Sequence, residues 1–508
     1  MQEKARHSEL LIKILLFTTF VALLIFQNTQ HISDRMFWLD EVTTFKIAIL
    51  PFWKIPYATT ISSGHMQPPL FYWLGHIATY VGSTPIILRS VSVTCYILLL
   101  WFVIFRMHEM RIASRFTLCF ILIVTPFASF ATTEFRPYAL AALSILVSST
   151  FLFRLFQQPS GWPQALMYGL SALILQYSLT LNCFVFGVQM FFIFLYIAAS
   201  FFKIGMKESL QKHKPAIIVA ILLCIPYALF LFGVSTSPSS QQHYQVNEGS
   251  LAVYIEHLAT NWQVLFESIS IHSWTRYVVF CFFVLGCLYG LIVNLRISLY
   301  LLFIFVGQLL FSTFMTYDAI PWFTQRYLVA SYIAFALICA LGAEALFRQL
   351  GKRISIVLVT LLVISPLFNA VESFSLSRNK PSFNASTALV EWARCNDTKT
   401  VVLSDPTYLN AVPWYAYLND SAIIVPYYKK DIDETISNGF SERYCFILQE
   451  KKNHGAYTGA YVTKLSAMSD YAKIPYRTPT EGTGHVPGSG WLFIPNERVT
   501  SYINFRKQ

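Results

Sequence analysis

Charge is what this sequence has least of. Only 12% of its 508 residues are Asp, Glu, Lys or Arg, while 55% are hydrophobic and 16% aromatic. That balance excludes a single water-soluble globule, whose one core could not hide so much apolar surface, and implies many bilayer spans. Acids are scarcer than bases, 26 against 37, for a net charge of +11. In a soluble chain that excess would suggest nucleic acid, but here Lys and Arg fall mainly in short loops between apolar runs and so report topology. Metal-ligand spacing is missing from the cysteines too: Cys95, Cys119, Cys183, Cys224, Cys281, Cys287 and Cys339 sit within apolar segments, as small hydrophobes. No small-residue cleavage site follows the first apolar run, so that run is expected to remain as a span, with Lys4 and Arg6 on the cytoplasmic side. The two halves of the chain do not repeat each other's hydropathy, which weighs against a transporter built from internal repeats. The C-terminal region has neither a Gly-rich phosphate loop nor a nucleophile signature.

What is present begins with apolar runs at 10–26, 86–105, 116–131, 139–156, 165–179, 184–202, 216–232, 277–293, 299–314, 328–347 and 354–367. They predict a polytopic α-helical membrane protein with about 11 transmembrane helices, several of them short enough to be broken or tilted. Lys203, Lys207, Lys212, Lys214, Arg296, Arg348, Lys352 and Arg353 then fall in loops on the inside, and the C-terminal region emerges on the far side. The expected organisation is a transmembrane catalytic module over 1–371, including an outer loop over 27–82, followed by a soluble extracytoplasmic α/β domain over 372–508. In that second part 386–395 and 407–417 read as helices and 400–404, 422–425 and 443–449 as strands. Cys395 and Cys445 alone fall there, where a disulfide is permitted but not decided by the sequence.

The candidate chemistry lies in a few polar interruptions. Asp40 and Glu41 stand together among aromatic and aliphatic residues soon after the first span. Acids are expensive to hold near lipid, so the pair points to chemistry or ion contact; the alternative is the acidic start of a short interfacial helix. Residues 45–53 read as an amphipathic piece lying in the interface. Further along, Pro68-Pro69 calls for an extended backbone before a new helix, setting Gln67 and His65 as a rim. His65 could orient a carboxylate, join a metal site, or be a solvated loop histidine. Arg89-Ser90 opens the second span. Glu134 and Arg136, two apart, would not share a helix face and are expected in a short outer turn, with Pro137 starting the next span before Tyr138. Arg136 is at a depth to hold a lipid phosphate, or to snorkel to headgroups. Arg326, beside Tyr327, offers a second guanidinium that could share that phosphate or anchor its helix. The polar loop at 233–274 reads as a cover or a docking place for an acceptor.

Taken in order, FWLDEVTT at 37–44, QPPLFYWLGH at 67–76, ILRSVSV at 87–93, EFRPYAL at 134–140 and QRYLVAS at 325–331 resemble the GT-C superfamily. The likeness is greatest to bacterial members related to protein O-mannosyltransferases, the lipid A aminoarabinose transferase and rhizobial lipopolysaccharide galacturonosyltransferases, over about residues 8–347. The resemblance implies an inner-membrane glycosyltransferase that uses a polyprenyl-phosphate-linked sugar on the non-cytoplasmic face, with a lipid, glycan or protein acceptor and no nucleic acid. It implies Asp40 as general base with Glu41 as companion. Arg136, Tyr138, Arg326, Tyr327 and Arg89 would bind the donor, and His65, Gln67 and Glu134 would line the acceptor side or rim. One departure stands out: the family often has His directly before the Pro-Pro pair, where this chain has Gln67. Some members use a divalent cation and others none; no ligand set is visible here, so no cofactor is assigned and a cation is left open. A flippase of lipid-linked sugars, or a ligase or polymerase of lipid-linked glycans, remains as the competing class.

Overall fold

The computed structural model describes residues 2–32, 39–59, 67–158, 161–235, 254–256, 258–260, 262–263, 265, 273–316, 328–349, 389, 392–393, 395–403, 422–425, 438, 442–450, 465, 467, 469–477 and 489–507. Contacts divide the chain into two compact units, Met1–Ile32 with Thr44–Ser375, and Ser33–Thr43 with Leu376–Gln508. The first unit is helical. It contains α1 (Gln2–Ile32), the C-terminal part of α2 (Leu39–Ala48), α3 (Ile55–Tyr57), α4 (Leu70–Thr79), α5 (Pro85–Arg106), α6 (Ile112–Val124), α7 (Pro126–Thr133) and α8 (Tyr138–Gln157). It continues with α9 (Trp162–Ser178), α10 (Asn182–Ile204), α11 (Met206–Ser235), α12 (Ser273–Val293), α13 (Leu295–Thr316) and α14 (Val329–Gln349).

Six helices among the described residues are long and apolar enough to cross a bilayer: His7–Phe26, Pro85–Arg106, Tyr138–Gln157, Asn182–Ile204, Leu295–Thr313 and Val329–Arg348. The chain is therefore a multi-pass membrane protein. The expected run at 354–367 lies outside the described residues. The run at 116–131 is not one helix, as its hydropathy suggested. Thr125 is extended (φ −82°, ψ 150°) and Pro126 opens a new helix, because proline lacks an N–H and disfavours helical backbone in the residue before it. The missing N–H leaves the Leu122 carbonyl free, and it accepts from the Tyr96 hydroxyl; the neighbouring Ile121 carbonyl accepts from Tyr332 at 2.9 Å. Backbone groups without a helical partner cannot be left open to hydrocarbon, so two tyrosines from other helices make the break tolerable.

Among the described spans α14 is the most deeply buried, with 94% of it inside. Its small residues let α12 come close: a Cβ added at Gly342 would lie 2.2 Å from the Phe282 carbonyl oxygen, and one at Gly286 1.8 Å from that of Ile338. Polar side chains join other spans. Tyr168 donates to Gln189 Oε1 at 3.1 Å, and Gln189 Nε2 donates to Ser148 at 2.9 Å and to the Tyr300 hydroxyl at 3.1 Å. One buried amide thus ties α8, α9, α10 and α13.

The piece at 45–53 has a buried and an exposed side. α2 stops at Ala48, and Phe45, Ile47 and Ala48 are buried, while the exposed apolar groups are Ile49, Phe52, Trp53 and Tyr57. Ile47 packs with Ile55, Ala58 and Tyr72 in a small core. Phe45, Ile47 and Ala48 thus turn inward while Ile49, Phe52 and Trp53 turn outward, the two sides of an amphipathic piece.

The second unit contains a five-stranded sheet of order β2-β1-β3-β5-β4, made of β1 (Thr400–Leu403), β2 (Ala422–Val425), β3 (Cys445–Glu450), β4 (Tyr471–Arg477) and β5 (Ser489–Pro495). β1 runs parallel to β2 and β3, whereas β5 is antiparallel to β3 and β4. β4 and β5 have no counterpart in the sequence reading. α15 (Val499–Lys507) follows, and its Ser501 accepts a hydrogen bond from the Trp392 ring N–H at 3.1 Å. Leu389, Trp392, Ala393 and Cys395, the described residues of the segment read as a helix at 386–395, are helical; the segment at 407–417 lies outside the described residues. Cys395 and Cys445 are both free thiols, one exposed and one buried.

Candidate active site

The turn between α7 and α8 is built by its own sequence. Glu134 is extended (φ −112°, ψ 140°), and Pro137 both discourages helix at Arg136 and begins α8 with its fixed φ of −72°. The backbone of Arg136 bonds back to the Glu134 carbonyl at 2.8 Å. Ser92, on α5, holds this turn from the side, donating to the Glu134 carbonyl at 2.7 Å and to that of Arg136 at 3.2 Å. Arg89 lies one turn earlier on the same helix and is fully buried. Glu134, Arg136 and Tyr138 are all buried as well, at 3%, 5% and 3% exposure, in a position where an unpaired ion would be costly.

Arg136 reaches across to α2. Its Nη1 donates to Thr44 Oγ1 at 3.0 Å, and its guanidinium carbon stands 5.9 Å from the centre of the Tyr138 ring. α4 closes the arrangement. His76 Nδ1 donates to the Ala48 carbonyl at 2.7 Å, fixing α4 against the end of α2. Gly75 lets Phe135 approach so closely that a Cβ would sit 2.6 Å from the ring edge, and Phe71 packs on the same ring at 5.3 Å.

Asp40 and Glu41 are on α2, the helix that Arg136 grips at Thr44. Glu41 is fully buried, while the side chain of Asp40 lies outside the described residues. Gln67 is half-buried and accepts from Thr180 at 3.4 Å. The Pro-Pro pair before α4 is only partly extended: Pro69 already has helical angles (φ −79°, ψ −12°) and its carbonyl accepts from Trp73, so the helix starts one residue sooner than a rigid extended pair would allow. His65, Arg326 and Tyr327 lie outside the described residues. Among the described residues no three His, Cys, Asp or Glu side chains gather to hold a metal ion. Thr44, Ser92 and His76 are the residues that sequence reasoning passed over, although each lies inside one of the quoted motifs. Hydroxyls are common in membrane helices, where they bond to backbone, and carry little signal in isolation.

No protein-family model and no curated protein matches the sequence. Solved structures do match. ArnT from Cupriavidus metallidurans bound to undecaprenyl phosphate aligns with a TM-score of 0.55 over 94% of this chain and 97% of its own, at 10% identity. The Archaeoglobus fulgidus oligosaccharyltransferase AglB, in complex with an inhibitory peptide and a dolichol-phosphate, reaches 0.53 over 93% of this chain and 74% of its own, at 9% identity. The chain has the GT-C fold. The arabinofuranosyltransferase AftD from Mycobacteria, a third protein with this GT-C fold, aligns at 0.52 over 95% of this chain and 40% of its own, at 11% identity. At such identities the likeness lies in the course of the backbone and not in the side chains. The roles of individual residues in this chain therefore rest on its own geometry.

Proposed function

We propose that the protein is a glycosyltransferase that moves a hexosyl or pentosyl unit from a polyprenyl-phosphate-linked donor to a lipid, glycan or protein acceptor. The reaction takes place on the non-cytoplasmic face of a bacterial inner membrane. In this reading residues 1–371 form the catalytic module, with about 11 spans, and 372–508 form an extracytoplasmic α/β domain. The observation that carries the proposal is the bond from buried Arg136 to Thr44, which ties a guanidinium to the helix that bears Asp40. Asp40 precedes Thr44 by four residues, about 6 Å along a helix axis. Support from outside the chain comes from the fold shared with ArnT and AglB, whose structures hold undecaprenyl phosphate and dolichol-phosphate.

The chemistry follows from the groups. The acceptor hydroxyl attacks the anomeric carbon while the bond from that carbon to the phosphate oxygen breaks. Asp40 takes the acceptor's proton as general base, with Glu41 as its companion. The leaving lipid phosphate gains charge, which Arg136 stabilises together with Arg326, while Arg89, Tyr138 and Tyr327 position the donor. Gln67, His65 and Glu134 form the rim on the acceptor side. One displacement inverts the anomeric centre.

The test is Asp40→Asn in purified full-length protein supplied with a labelled lipid-phosphate monosaccharide. Transfer is expected to fall by roughly 10²-fold or more while donor binding persists, since a general base contributes on that scale. Near-normal turnover would remove Asp40 from this role. Movement of intact donor between leaflets without release of lipid phosphate would replace the transferase with a flippase.

A further inference from the structure

A basic surface forms where α10 ends. The chain turns there in one residue: Gly205 takes φ 84°, a conformation that side chains resist, and its N–H closes α10 on the Phe201 carbonyl at 2.9 Å. The first turns of α11 then pack on α10, where Ser209 donates to the Ile197 carbonyl at 3.2 Å and buried His213 meets the Tyr196 ring at 5.0 Å. With Ser209 and His213 turned inward, Lys207, Lys212 and Lys214 are left exposed, as is Lys203 at the end of α10. Arg296, at the start of α13 and also exposed, joins them: its guanidinium carbon stands 5.3 Å from the centre of the same Tyr196 ring.

The charge here is not balanced from within. Glu208 is the only acid between residues 196 and 216, and among the described residues none of the five cations has a carboxylate within ion-pair distance. Other basic groups of this helical unit are neutralised: Arg154 pairs with Glu109 at 2.7 Å, and Arg111 and Arg348 share Glu344 at 3.0 and 3.1 Å. Large apolar side chains stand among the lysines. Phe202, Met206 and Leu210 are 84%, 62% and 49% exposed. Because α10 is a bilayer span, its end lies at the boundary between hydrocarbon and headgroups. There apolar groups and lysine stems can enter the acyl region while the ammonium groups reach the phosphates.

We propose that this surface binds the headgroups of anionic phospholipids in the leaflet where α10 ends. Five cations against one acid leave an excess of four, which a zwitterionic headgroup would not balance and an anionic one does. A soluble polyanion would match the charge but leave Phe202, Met206 and Leu210 in water. The Tyr196 hydroxyl donates to the Phe156 carbonyl at 2.7 Å, and Phe156 is eighteen residues beyond Tyr138 on α8, about 27 Å of helix rise. The surface is therefore separate from the Arg136 turn and does not depend on the sugar-transfer reading.

The test equilibrates immobilised full-length protein with detergent micelles that hold equal amounts of dioleoyl phosphatidylglycerol and dioleoyl phosphatidylcholine, and counts the retained lipids by mass spectrometry. The parent is expected to retain phosphatidylglycerol in excess, and the excess should vanish near 1 M salt, where screening acts within about 3 Å. A lysine beside an anionic headgroup is worth about fivefold, so Lys207→Gln, Lys212→Gln and Lys214→Gln together should cut phosphatidylglycerol retention at least tenfold. Glu208→Gln, which removes the one acid, should raise it severalfold, a gain that misfolding cannot produce. Equal retention of the two lipids by the parent, or a preference that neither variant changes, would overturn the proposal. A single-stranded oligonucleotide that displaces phosphatidylglycerol from the parent, and is itself lost with the three lysines, would reassign the surface to a soluble polyanion.

Discussion

Arg136 and Thr44 are separated by 92 positions in the chain, and the hydrogen bond between them, 3.0 Å long and buried, joins the turn before α8 to the helix of Asp40 and Glu41. A guanidinium on an irregular turn would otherwise be free to move; here the Ser92 hydroxyl holds the turn's carbonyls and Thr44 holds the charged head. The distance between Arg136 and α2 is thereby set by side chains on three elements.

Thr44→Val tests that bond. Valine has nearly the same shape but no acceptor, so a buried guanidinium loses a partner, at a cost of about 1.5–3 kcal/mol. Sugar transfer is expected to fall roughly 10-fold or more by the same conversion, with Thr44→Ser close to the parent. Turnover of a labelled lipid-linked donor measures it. An equal loss in both variants would mean that the hydroxyl is not what matters.

The α12–α14 crossing leaves no room for a methyl group. Gly286→Ala would place its Cβ 1.8 Å from the Ile338 backbone oxygen, so one helix must shift, and overpacking of this kind costs about 1–3 kcal/mol. Gly187→Ala, on α10, meets nothing within 4 Å and should be neutral or slightly stabilising, because alanine favours helix over glycine. Thermal midpoints followed by size-exclusion chromatography would separate the two.

Acid should weaken the loop between α5 and α6. Burial pushes the Glu109 carboxyl up, but the Arg154 hydrogen bond, a backbone amide and the Arg154 charge outweigh it and hold the group below the ordinary glutamate range. A depressed folded value means that its stabilisation is fully present above the unfolded value of about 4.3 and is lost as pH falls through the folded one. The stability difference between the parent and Glu109→Gln is therefore expected to be constant at neutral pH and to shrink below about pH 4.3. A difference that grew on acidification would reverse the sign and remove this pair as the cause.

Thiol reactivity distinguishes the two cysteines of the second unit. Burial, partly offset by Arg498, pushes the Cys445 thiol up to about 12, whereas Cys395 is exposed. Thiolate is the nucleophile, so a maleimide at neutral pH should label Cys395 and leave Cys445 untouched until the protein is unfolded. Peptide mapping gives the answer, and the pattern should not change with reductant. A peptide linking the two residues would contradict it.

The polar residues of the candidate site were legible because charge is conspicuous in so apolar a chain. Arg89, Glu134 and Arg136 can be picked out by type and position alone, and all three are buried. Their partners were not legible. Thr44 and Ser92 are hydroxyl residues in helices, indistinguishable by composition from Thr117 or Thr150, whose hydroxyls bond to their own helices. The break at Pro126 was missed because hydropathy averages over a single proline, and the strand β4 because Lys473, Pro475 and Arg477 argue against a central strand. β4 is an edge strand, where a proline without a hydrogen to donate and charged side chains are tolerated.

The sequence by itself determined that this chain spans a membrane many times and where its few polar groups interrupt the spans, because the cost of charge in hydrocarbon acts on each segment separately. Only the tertiary structure decided which groups meet: Arg136 with Thr44, Tyr332 with the Ile121 carbonyl before Pro126, Gln189 with three helices at once. Those pairings join residues far apart in the chain, and their hydrogen bonds depend on distances between helices that no local pattern of residues contains.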